Sequence, residues 1–307
     1  MSILTRSRAA FVLATAVLVS ALAASPSTAS SGSAAHPLAG AGAADLERAH
    51  AHNDYEHDRP LYDALSNGFK SVEADVWLVD GELLVAHDRE DVQSGRTLKS
   101  LYLRPLREIV KRNRGSVQPG DPDTFTLLID IKSDAVATYL ALHKQLRRYR
   151  QILTRFSPSG IDEGAVTAIV SGNRPAELMQ GQRVRYAGYD GRLSDLGVRT
   201  DAGFVPLISD NWTRHFTWQG IGPMPEAERA KLQSIVQTAH ANGQRVRFWA
   251  TPEASPQREA VWQELLAARV DYINTDHLQA LRDFLLRNDP QATLAHVSWE
   301  PSPSGGR

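Results

Sequence analysis

Two pairs of ionisable residues have the spacing that places both members on one side of a β-strand. Glu73 and Asp75 form the first pair, in FKSVEADVWLV. Asp130 and Lys132 form the second, in TFTLLIDIK. Side chains two residues apart on a strand point to the same face. Either pair alone would also suit a solvated strand face or a simple ion pair, so the fold that positions them has to decide their role.

A second concentration of chemistry lies in AHAHNDYEHD, residues 49–58, which holds three of the chain's 10 histidines. His50 and His52 are two residues apart, and His57 follows in the same stretch. Another histidine, His87, precedes an aspartate at the end of ELLVAHD. Histidines in this density suit a metal site, acid–base catalysis near neutral pH, or a polar loop.

The segments around these residues alternate between strand-like and helix-like patterns. Eight β-rich runs begin near residues 47, 69, 125, 165, 183, 203, 244 and 270, and most precede a helical pattern. Asp80-Gly81 adds a hairpin turn after the second run. This alternation predicts a single (β/α)₈ TIM barrel. A doubly wound open sheet is the alternative, and the lack of a glycine-rich phosphate loop after the first run disfavours it.

In a parallel barrel, chemistry belongs at the C-terminal ends of the strands. Polar residues fall at the ends of the predicted strands, and they include His52, Glu73, Asp75, His87, Asp130, Lys132, Asn173, Asp190, Asp210, Asn274 and Asp276. Three carboxylates that converge on one barrel mouth require a cation, because burying them together is otherwise costly. Oxygen ligands favour Mg²⁺ or Ca²⁺ over zinc, so Glu73, Asp75 and Asp130 are the predicted ligands of one divalent cation.

The two ends of the chain differ from this pattern. Residues 1–24 have the basic start and the short apolar run of a secretory signal, which predicts a secreted protein, with an uncleaved anchor helix as the alternative. We expect a disordered linker over 25–44, the barrel over 45–288 and a flexible tail over 289–307. With 34 basic and 35 acidic residues and no basic stripe, nucleic acid is not an expected partner. The absence of cysteine excludes disulfides.

The motifs HNDY, GFKSVEADVWLVDGELLVAHD, LLIDIK and NTD together resemble the glycerophosphodiester phosphodiesterase-like superfamily, among the phospholipase C-like phosphodiesterase barrels. The resemblance covers about residues 47–285. It is nearest to a little-characterised branch that opens with His-Asn-Asp-Tyr, and the Asp-x-Lys motif is similar to that of the sphingomyelinase D branch.

The resemblance implies a role for each matching residue. His52 and His87 correspond to the two catalytic histidines, and Lys132 corresponds to a lysine that contacts the phosphate. The three carboxylates correspond to the ligands of Mg²⁺ or Ca²⁺, and Trp249 corresponds to an aromatic residue that lines the substrate pocket. The expected substrate is a phosphodiester small molecule or a phospholipid, with transient contact with a membrane surface, and we expect a monomer.

The opening motif departs from the family pattern. Glycerophosphodiesterases usually open with His-Arg-Gly, whereas this sequence has His52-Asn53-Asp54. The missing arginine puts a glycerophosphodiester substrate in question. Asn53, Asp210 and Asn274 complete the predicted substrate pocket, while His50 is expected to support the site from below and His57 to face solvent.

Three other functions are consistent with parts of the sequence. A phospholipase D that acts on sphingomyelin or lysophospholipid would share the metal ligands. A zinc hydrolase would use His50 and His52, although it would need further histidines on strands five and six. A catalytically inactive binding module is the third, since fold alone does not guarantee function. Trp212, Phe216 and Trp218 follow strand six, and we expect them to pack over the barrel mouth rather than touch lipid.

Overall fold

The structure is a computed structural model that describes residues 44–299 of the 307-residue chain. The predicted signal (1–24), residues 25–43 of the predicted linker and residues 300–307 of the predicted tail lie outside the described residues. Over 44–299, the strands are β1 Leu46–Ala51, β2 Phe69–Val79, β3 Glu82–Val85, β4 Phe125–Ile131, β5 Arg155–Ser157, β6 Gly160–Asp162, β7 Val166–Gly172, β8 Gly188–Gly191, β9 Leu207–Asn211, β10 Arg245–Trp249 and β11 Tyr272–Thr275.

Eight of these strands close into a parallel barrel, in the order β1-β2-β4-β7-β8-β9-β10-β11, and β11 pairs again with β1. The short strand β3 pairs antiparallel with the end of β2, and β5 and β6 form a separate hairpin. The predicted single (β/α)₈ TIM barrel is therefore confirmed.

The helices lie in the connections between the strands. Within the described range they are α1 Tyr62–Ser66, α2 Arg104–Arg112, α3 Ala135–Leu146, α4 Ala176–Gln180, α5 Trp212–His215, α6 Glu226–Ala241, α7 Gln257–Ala267 and α8 Leu278–Asn288. Asp134 caps α3 by accepting a hydrogen bond from the Ala137 N–H, as its position in the sequence predicts. None of the helices in residues 44–299 is long and apolar enough to cross a membrane.

The barrel interior is closed below the site by a small apolar cluster of Leu128, Ile169, Leu207 and Tyr272. Leu128 lies two residues before Asp130 on β4, so both side chains point inward. The opposite faces of the strands pack against the helices in one continuous core. This layering leaves the C-terminal ends of the strands as the place where polar side chains meet.

Two strands begin later than the sequence patterns predict. Residues 183–187 were expected in strand five, but Arg185 exchanges backbone hydrogen bonds with Phe156 of the β5–β6 hairpin instead, each at 2.9 Å. β8 starts only at Gly188, where a Cβ atom would lie 2.4 Å from the Cγ of Pro206. The same proline precedes β9, which begins at Leu207 rather than near residue 203, since proline has no N–H to donate to a sheet.

Residues 289–299, the described part of the predicted tail, make contacts with the barrel. The buried Arg48 side chain donates to the carbonyl of Leu294 at 2.8 Å. Trp299 donates its indole N–H to the Gly243 carbonyl at 2.9 Å, and Arg245 stacks 4.4 Å from the centre of its ring. The segment therefore packs over the N-terminal end of the barrel, where two buried arginines need hydrogen-bond acceptors.

Candidate active site

A cavity of about 170 Å³ opens at the C-terminal end of the barrel. The residues that line it come from six of the eight barrel strands and the segments that follow them, and they are His52, Asn53, Glu73, His87, Asp130, Lys132, Ser171, Arg192, Arg247 and Trp249. Seven of these are predicted site residues, so residues far apart in the sequence meet where the strand-end rule places them.

The three predicted metal ligands converge on one point. Glu73, Asp75 and Asp130 each offer a carboxylate oxygen, and these oxygens lie within 4.8 Å of one another. Asp75 and Asp130 are direct neighbours in the β2–β4 register. The Lys132 ammonium group lies 3.0 Å from Asp75 Oδ2 and 3.4 Å from Asp130 Oδ1, so it partly neutralises the cluster.

The electrostatics of this cluster fit a cation. Burial, followed by the charge of Glu73, raises the pKa of Asp130 to about 7. The same two causes raise the pKa of Asp75. Burial opposes ionisation of Glu73, but the charge of the adjacent Arg247, the hydrogen bond from His50 and the charge of His52 together outweigh burial and hold the pKa of Glu73 below its usual range. The buried Asp75 Oδ1 has no hydrogen-bond partner in residues 44–299, so it has a free lone pair for a cation.

A second acidic group lies at the other end of the barrel, outside the cavity. Glu47, Asp121 and Asp123 also bring oxygens within 4.8 Å of one another. Lys70 makes ion pairs with Glu47 and Asp121 and donates to the Asp123 carbonyl at 3.0 Å, so its ammonium group partly neutralises this group of acids. Neither this group nor the first contains a histidine, and in the described part of the chain no other group of this kind occurs. This disfavours the zinc hydrolase alternative.

His52 is oriented by a carboxylate that directly follows the last barrel strand, β11. Its Nδ1 lies 2.8 Å from Asp276 Oδ1, which leaves Nε2 for the cavity. Burial lowers the pKa of His52, but the hydrogen bond to Asp276 and the charge of Glu73 outweigh burial and leave that pKa raised. His52 is therefore held in an orientation and a charge state that suit a proton donor.

His87 is placed by the hairpin after β2. Its Nδ1 lies 3.2 Å from Asp75 Oδ2 and 3.4 Å from the Tyr55 hydroxyl. The side chain of His87 is 51% exposed, so its other nitrogen is open to a ligand in the cavity. Tyr55 donates to Asp75 Oδ2 at 2.8 Å and also contacts Asn53 Oδ1 at 3.0 Å. It thus links the first strand to the second.

The loop after His52 is fixed from beneath. Asn53 adopts a left-handed backbone conformation, with φ 45°, which asparagine tolerates better than most residues. Asp54 is fully buried and accepts hydrogen bonds from the Leu61 N–H at 2.6 Å and the Tyr102 hydroxyl at 2.9 Å. Burial raises the pKa of Asp54 to about 6. Asp54 therefore anchors the loop rather than contacting the cavity.

His50 supports the site from below, as predicted. It is buried and bridges Ser71 Oγ at 2.7 Å and Glu73 Oε2 at 3.3 Å. Burial and the charge of Arg247 lower its pKa to about 3, so the ring is neutral. His57, which was expected to face solvent, is half-buried instead, and its Nδ1 is shielded from water.

Two predicted pocket residues do not line the cavity. Asn274 is buried and accepts from Arg247 Nε at 2.9 Å, so it positions that arginine. Asp210 accepts from the Leu193 and Asn211 N–H groups at 3.0 and 2.8 Å, which makes it a loop anchor. Trp212 is buried and stacks on Phe216 at 4.0 Å between ring centres, so the prediction that the aromatic loop packs is confirmed. The predicted place is wrong, because both rings contact Phe248, on the face of β10 opposite the cavity, rather than covering the barrel mouth.

The sequence patterns did not assign a role in the site to four residues. These are Tyr55, Arg192, Arg247 and Asp276. Arg247 lies two residues before Trp249 on β10, so both side chains point to the same face. The spacing rule applied to Glu73 and Asp75 could therefore have predicted Arg247 as a site residue. Tyr55 and Asp276 act through partners 20 and 224 residues away in sequence, which no local pattern indicates.

Comparison with known proteins places the chain in a family. The sequence profile of the AIM6-like phosphodiesterase domain matches residues 46–190, and that of the Glycerophosphoryl diester phosphodiesterase family matches residues 245–279. Altered inheritance of mitochondria protein 6 from Eremothecium gossypii is 31% identical over 281 residues, which cover 78% of this chain and 69% of the relative. The chain belongs to the AIM6-like phosphodiesterase family. The Altered inheritance of mitochondria protein 6 homolog from Arthroderma benhamiae is 28% identical over 265 residues, which cover 76% of this chain and 82% of that relative.

Membership of this family confirms the resemblance to the glycerophosphodiester phosphodiesterase-like superfamily. The AIM6-like profile ends within β8, before Arg192, and it includes both histidines and all three carboxylates. The second profile covers β10 and β11, which supply Arg247, Trp249 and Asp276. The domain is thus of a phosphodiesterase type.

Proposed function

We propose that this protein hydrolyses a phosphodiester, either a glycerophosphodiester or a phospholipid head-group ester, by acid–base catalysis at His52 and His87 with one divalent cation. The observation that supports this most is the meeting of both histidines, Lys132 and the carboxylate cluster around one cavity at the barrel mouth. A phosphodiester is an anion with a poor leaving group, so its hydrolysis needs both charge neutralisation and proton transfer.

The two histidines have distinct environments. His52 has a raised pKa and an oriented ring, so it donates a proton to the leaving oxygen. His87 faces the ionisable oxygen of Asp75 through Nδ1 and has its other nitrogen exposed, so it accepts the proton of the attacking hydroxyl or water. Lys132 presents its ammonium group beside Asp75 and Asp130 and contacts a phosphate oxygen.

Glu73, Asp75 and Asp130 would hold the cation, and their oxygen chemistry suits Mg²⁺ or Ca²⁺. The free lone pair on the buried Asp75 Oδ1 and the raised pKa of Asp130 both indicate carboxylates that lack sufficient positive charge. When bound, such an ion offsets the negative charge that develops on the phosphate oxygens.

A phospholipase D that acts on sphingomyelin or lysophospholipid is the second candidate. The Asp130-x-Lys132 pair supports it, because the structure places both side chains at the cluster. Product analysis separates the two: release of choline from these lipids supports the second candidate, and hydrolysis of soluble glycerophosphodiesters supports the first.

The proposal includes a secreted monomer whose partners are a phosphodiester small molecule or a phospholipid surface, and not nucleic acid. The secretory pattern of residues 1–24 supports export. Sequencing the N-terminus of the protein recovered from culture medium would test it, with a start near residue 25 as the expected result.

The decisive experiment combines a substrate panel with two variants. His52→Ala and His87→Ala should abolish hydrolysis of glycerophosphodiesters, lysophospholipids, sphingomyelin or phosphatidylinositol while leaving the melting temperature near that of the wild type. His240→Ala is the matched control, because His240 also pairs with an aspartate, Asp271 at 2.8 Å, but lies outside the cavity. Chelation should inactivate the wild type, and Mg²⁺ or Ca²⁺ should restore it. A wild type that binds metal but hydrolyses none of the panel would favour the inactive binding module.

A further inference from the structure

The cavity contains a guanidinium group that the proposed chemistry does not yet use. Arg192 follows β8, and its side chain lines the cavity and is 23% exposed. β8 is the fifth strand in the barrel order counted from β1, so the two strands face each other across the closed ring. Arg192 and His52 therefore stand on opposite sides of the mouth, and a ligand in the cavity lies between them.

A dedicated buried acceptor holds Arg192 in this position. Asp190 is fully buried, and its Oδ2 accepts from Arg192 Nη1 at 2.6 Å. The same oxygen accepts from the hydroxyl groups of Ser171 at 2.6 Å and Ser209 at 2.8 Å. Three hydrogen bonds to one carboxylate oxygen fix the orientation of the Asp190 side chain. The Asp190 carboxylate in turn fixes the orientation of the Arg192 guanidinium group.

The guanidinium retains donors that this anchor does not use. Nη1 contacts Asp190, Ser209 and the Gly191 carbonyl, whereas Nη2 makes one hydrogen bond, to Ser171 Oγ at 3.3 Å. Since Nη2 carries two hydrogens, one is left for a ligand. The fork of an arginine matches the oxygens of a phosphate, and a hydrogen bond to an anion is stronger than one between neutral groups.

Apart from His52, whose proton the proposed chemistry uses, the opposite rim supplies no cation for the phosphate. Asn53, which follows His52, is neutral and bonded to Tyr55. Arg247 is already committed to Glu73 and Asn274. Among the cavity-lining residues, and apart from His52 as the proposed proton donor, this leaves Lys132 after β4 and Arg192 after β8 as the cations with donors for a ligand, with β7 between the two strands.

We propose that Arg192, held by Asp190, binds a non-bridging oxygen of the phosphate group and so determines how tightly the phosphodiester anion is bound. This rests on the proposed function for the identity of the substrate. The Arg192–Asp190 pair is neutral overall, so its contribution is a directed hydrogen bond rather than long-range attraction. Loss of such a bond corresponds to about tenfold to hundredfold weaker binding.

Inorganic phosphate is the probe, titrated into the full-length protein with Mg²⁺ present and, separately, with a chelator. Arg192→Gln should raise the dissociation constant for phosphate about tenfold or more in both conditions. Arg192→Lys keeps the charge but cannot span Asp190 and the ligand together, so it should fall between wild type and Arg192→Gln. Arg229→Gln is the matched control, since Arg229 pairs with Glu264 at 2.6 Å and does not line the cavity.

Kinetics supply the second measurement. With a substrate that the wild type hydrolyses, Arg192→Gln should raise KM by a similar factor, with a smaller change in kcat. The melting temperature first establishes that both Arg192 variants are folded. The inference would be overturned if both folded variants bound phosphate as tightly as the wild type, or if the wild type did not bind phosphate. A wild type that binds phosphate through Arg192 but hydrolyses no diester would instead contradict the proposed function alone.

Discussion

Replacing Asp276 with asparagine should move the pH dependence of hydrolysis through its effect on His52. Asp276→Asn keeps the shape of the side chain and an oxygen acceptor, but it removes the charge that lies 2.8 Å from His52 Nδ1. In the wild type, burial lowers the pKa of His52, and the hydrogen bond to Asp276 is the largest of the influences that raise it. Without that charge the pKa of His52 should fall.

The size of the expected fall in the pKa of His52 depends on how far Asp276 is exposed to solvent. A hydrogen bond between charged groups contributes about 1.5–3 kcal/mol when shielded from water. Because the Asp276 side chain is 45% exposed, solvent screening reduces this to about 1 kcal/mol, or about fivefold in the protonation equilibrium. The sign is fixed: a proton donor with a raised pKa is active at low pH and loses activity as pH rises through that pKa. The variant should therefore lose activity at a lower pH than the wild type.

The assay is kcat/KM measured from acidic to alkaline pH for wild type, Asp276→Asn and Asp283→Asn, whose carboxylate lies on α8 outside the cavity. The alkaline limb of Asp276→Asn should shift to lower pH, with little change in the control. NMR titration of His52 should report the same shift. An alkaline limb identical to that of the wild type would refute the assignment of His52 as the proton donor, and an equal loss at every pH would indicate a purely geometric role for Asp276.

Two further predictions concern the carboxylate cluster. Tyr55→Phe removes the 2.8 Å hydrogen bond to the buried Asp75, so the free energy of unfolding should fall by about 1–3 kcal/mol in urea denaturation; an unchanged midpoint would show that another donor replaces the hydroxyl. For the protein in chelator, the pKa of Asp130 near 7 means that the folded state keeps a proton which the unfolded state releases near pH 4. The free energy of unfolding should therefore decrease between about pH 4 and about pH 7, by up to about 4 kcal/mol. Asp130→Asn or added Mg²⁺ should flatten this dependence, and a flat profile in chelator would contradict it.

The fold and the centre of the site could be predicted because they depend on local periodicity. Residues two apart on β2 and β4 share a face, and the parallel arrangement brings Asp75 and Asp130 into register as direct neighbours. The strand-end rule then places His52 and His87 at the same mouth. Each of these inferences needs only the position of a residue on its own strand.

The partners of those residues could not be predicted in the same way. Asp210 and Asp276 both stand at strand ends, yet Asp210 turns to backbone N–H groups of its own loop region while Asp276 reaches His52. The contacts of residues 289–299 could not be predicted for a similar reason. Trp299 covers Arg245, whose burial is a property of the whole barrel and not of the sequence around either residue.

The departure at the opening motif has a structural reason in the backbone. Residue 53 has φ 45°, in the left-handed region that costs most side chains about 1–2 kcal/mol but that asparagine adopts more readily. An arginine at this position would carry that cost, and its side chain would compete for the space where the Tyr55 hydroxyl contacts Asn53 and donates to Asp75. The HNDY sequence thus has no cation directly after His52, but its loop is fixed. Asp54 anchors the loop, and Tyr55 aligns Asp75 with His87. A phosphodiester bound here needs its second cation from elsewhere on the wall, and the end of β8 is where the barrel provides one.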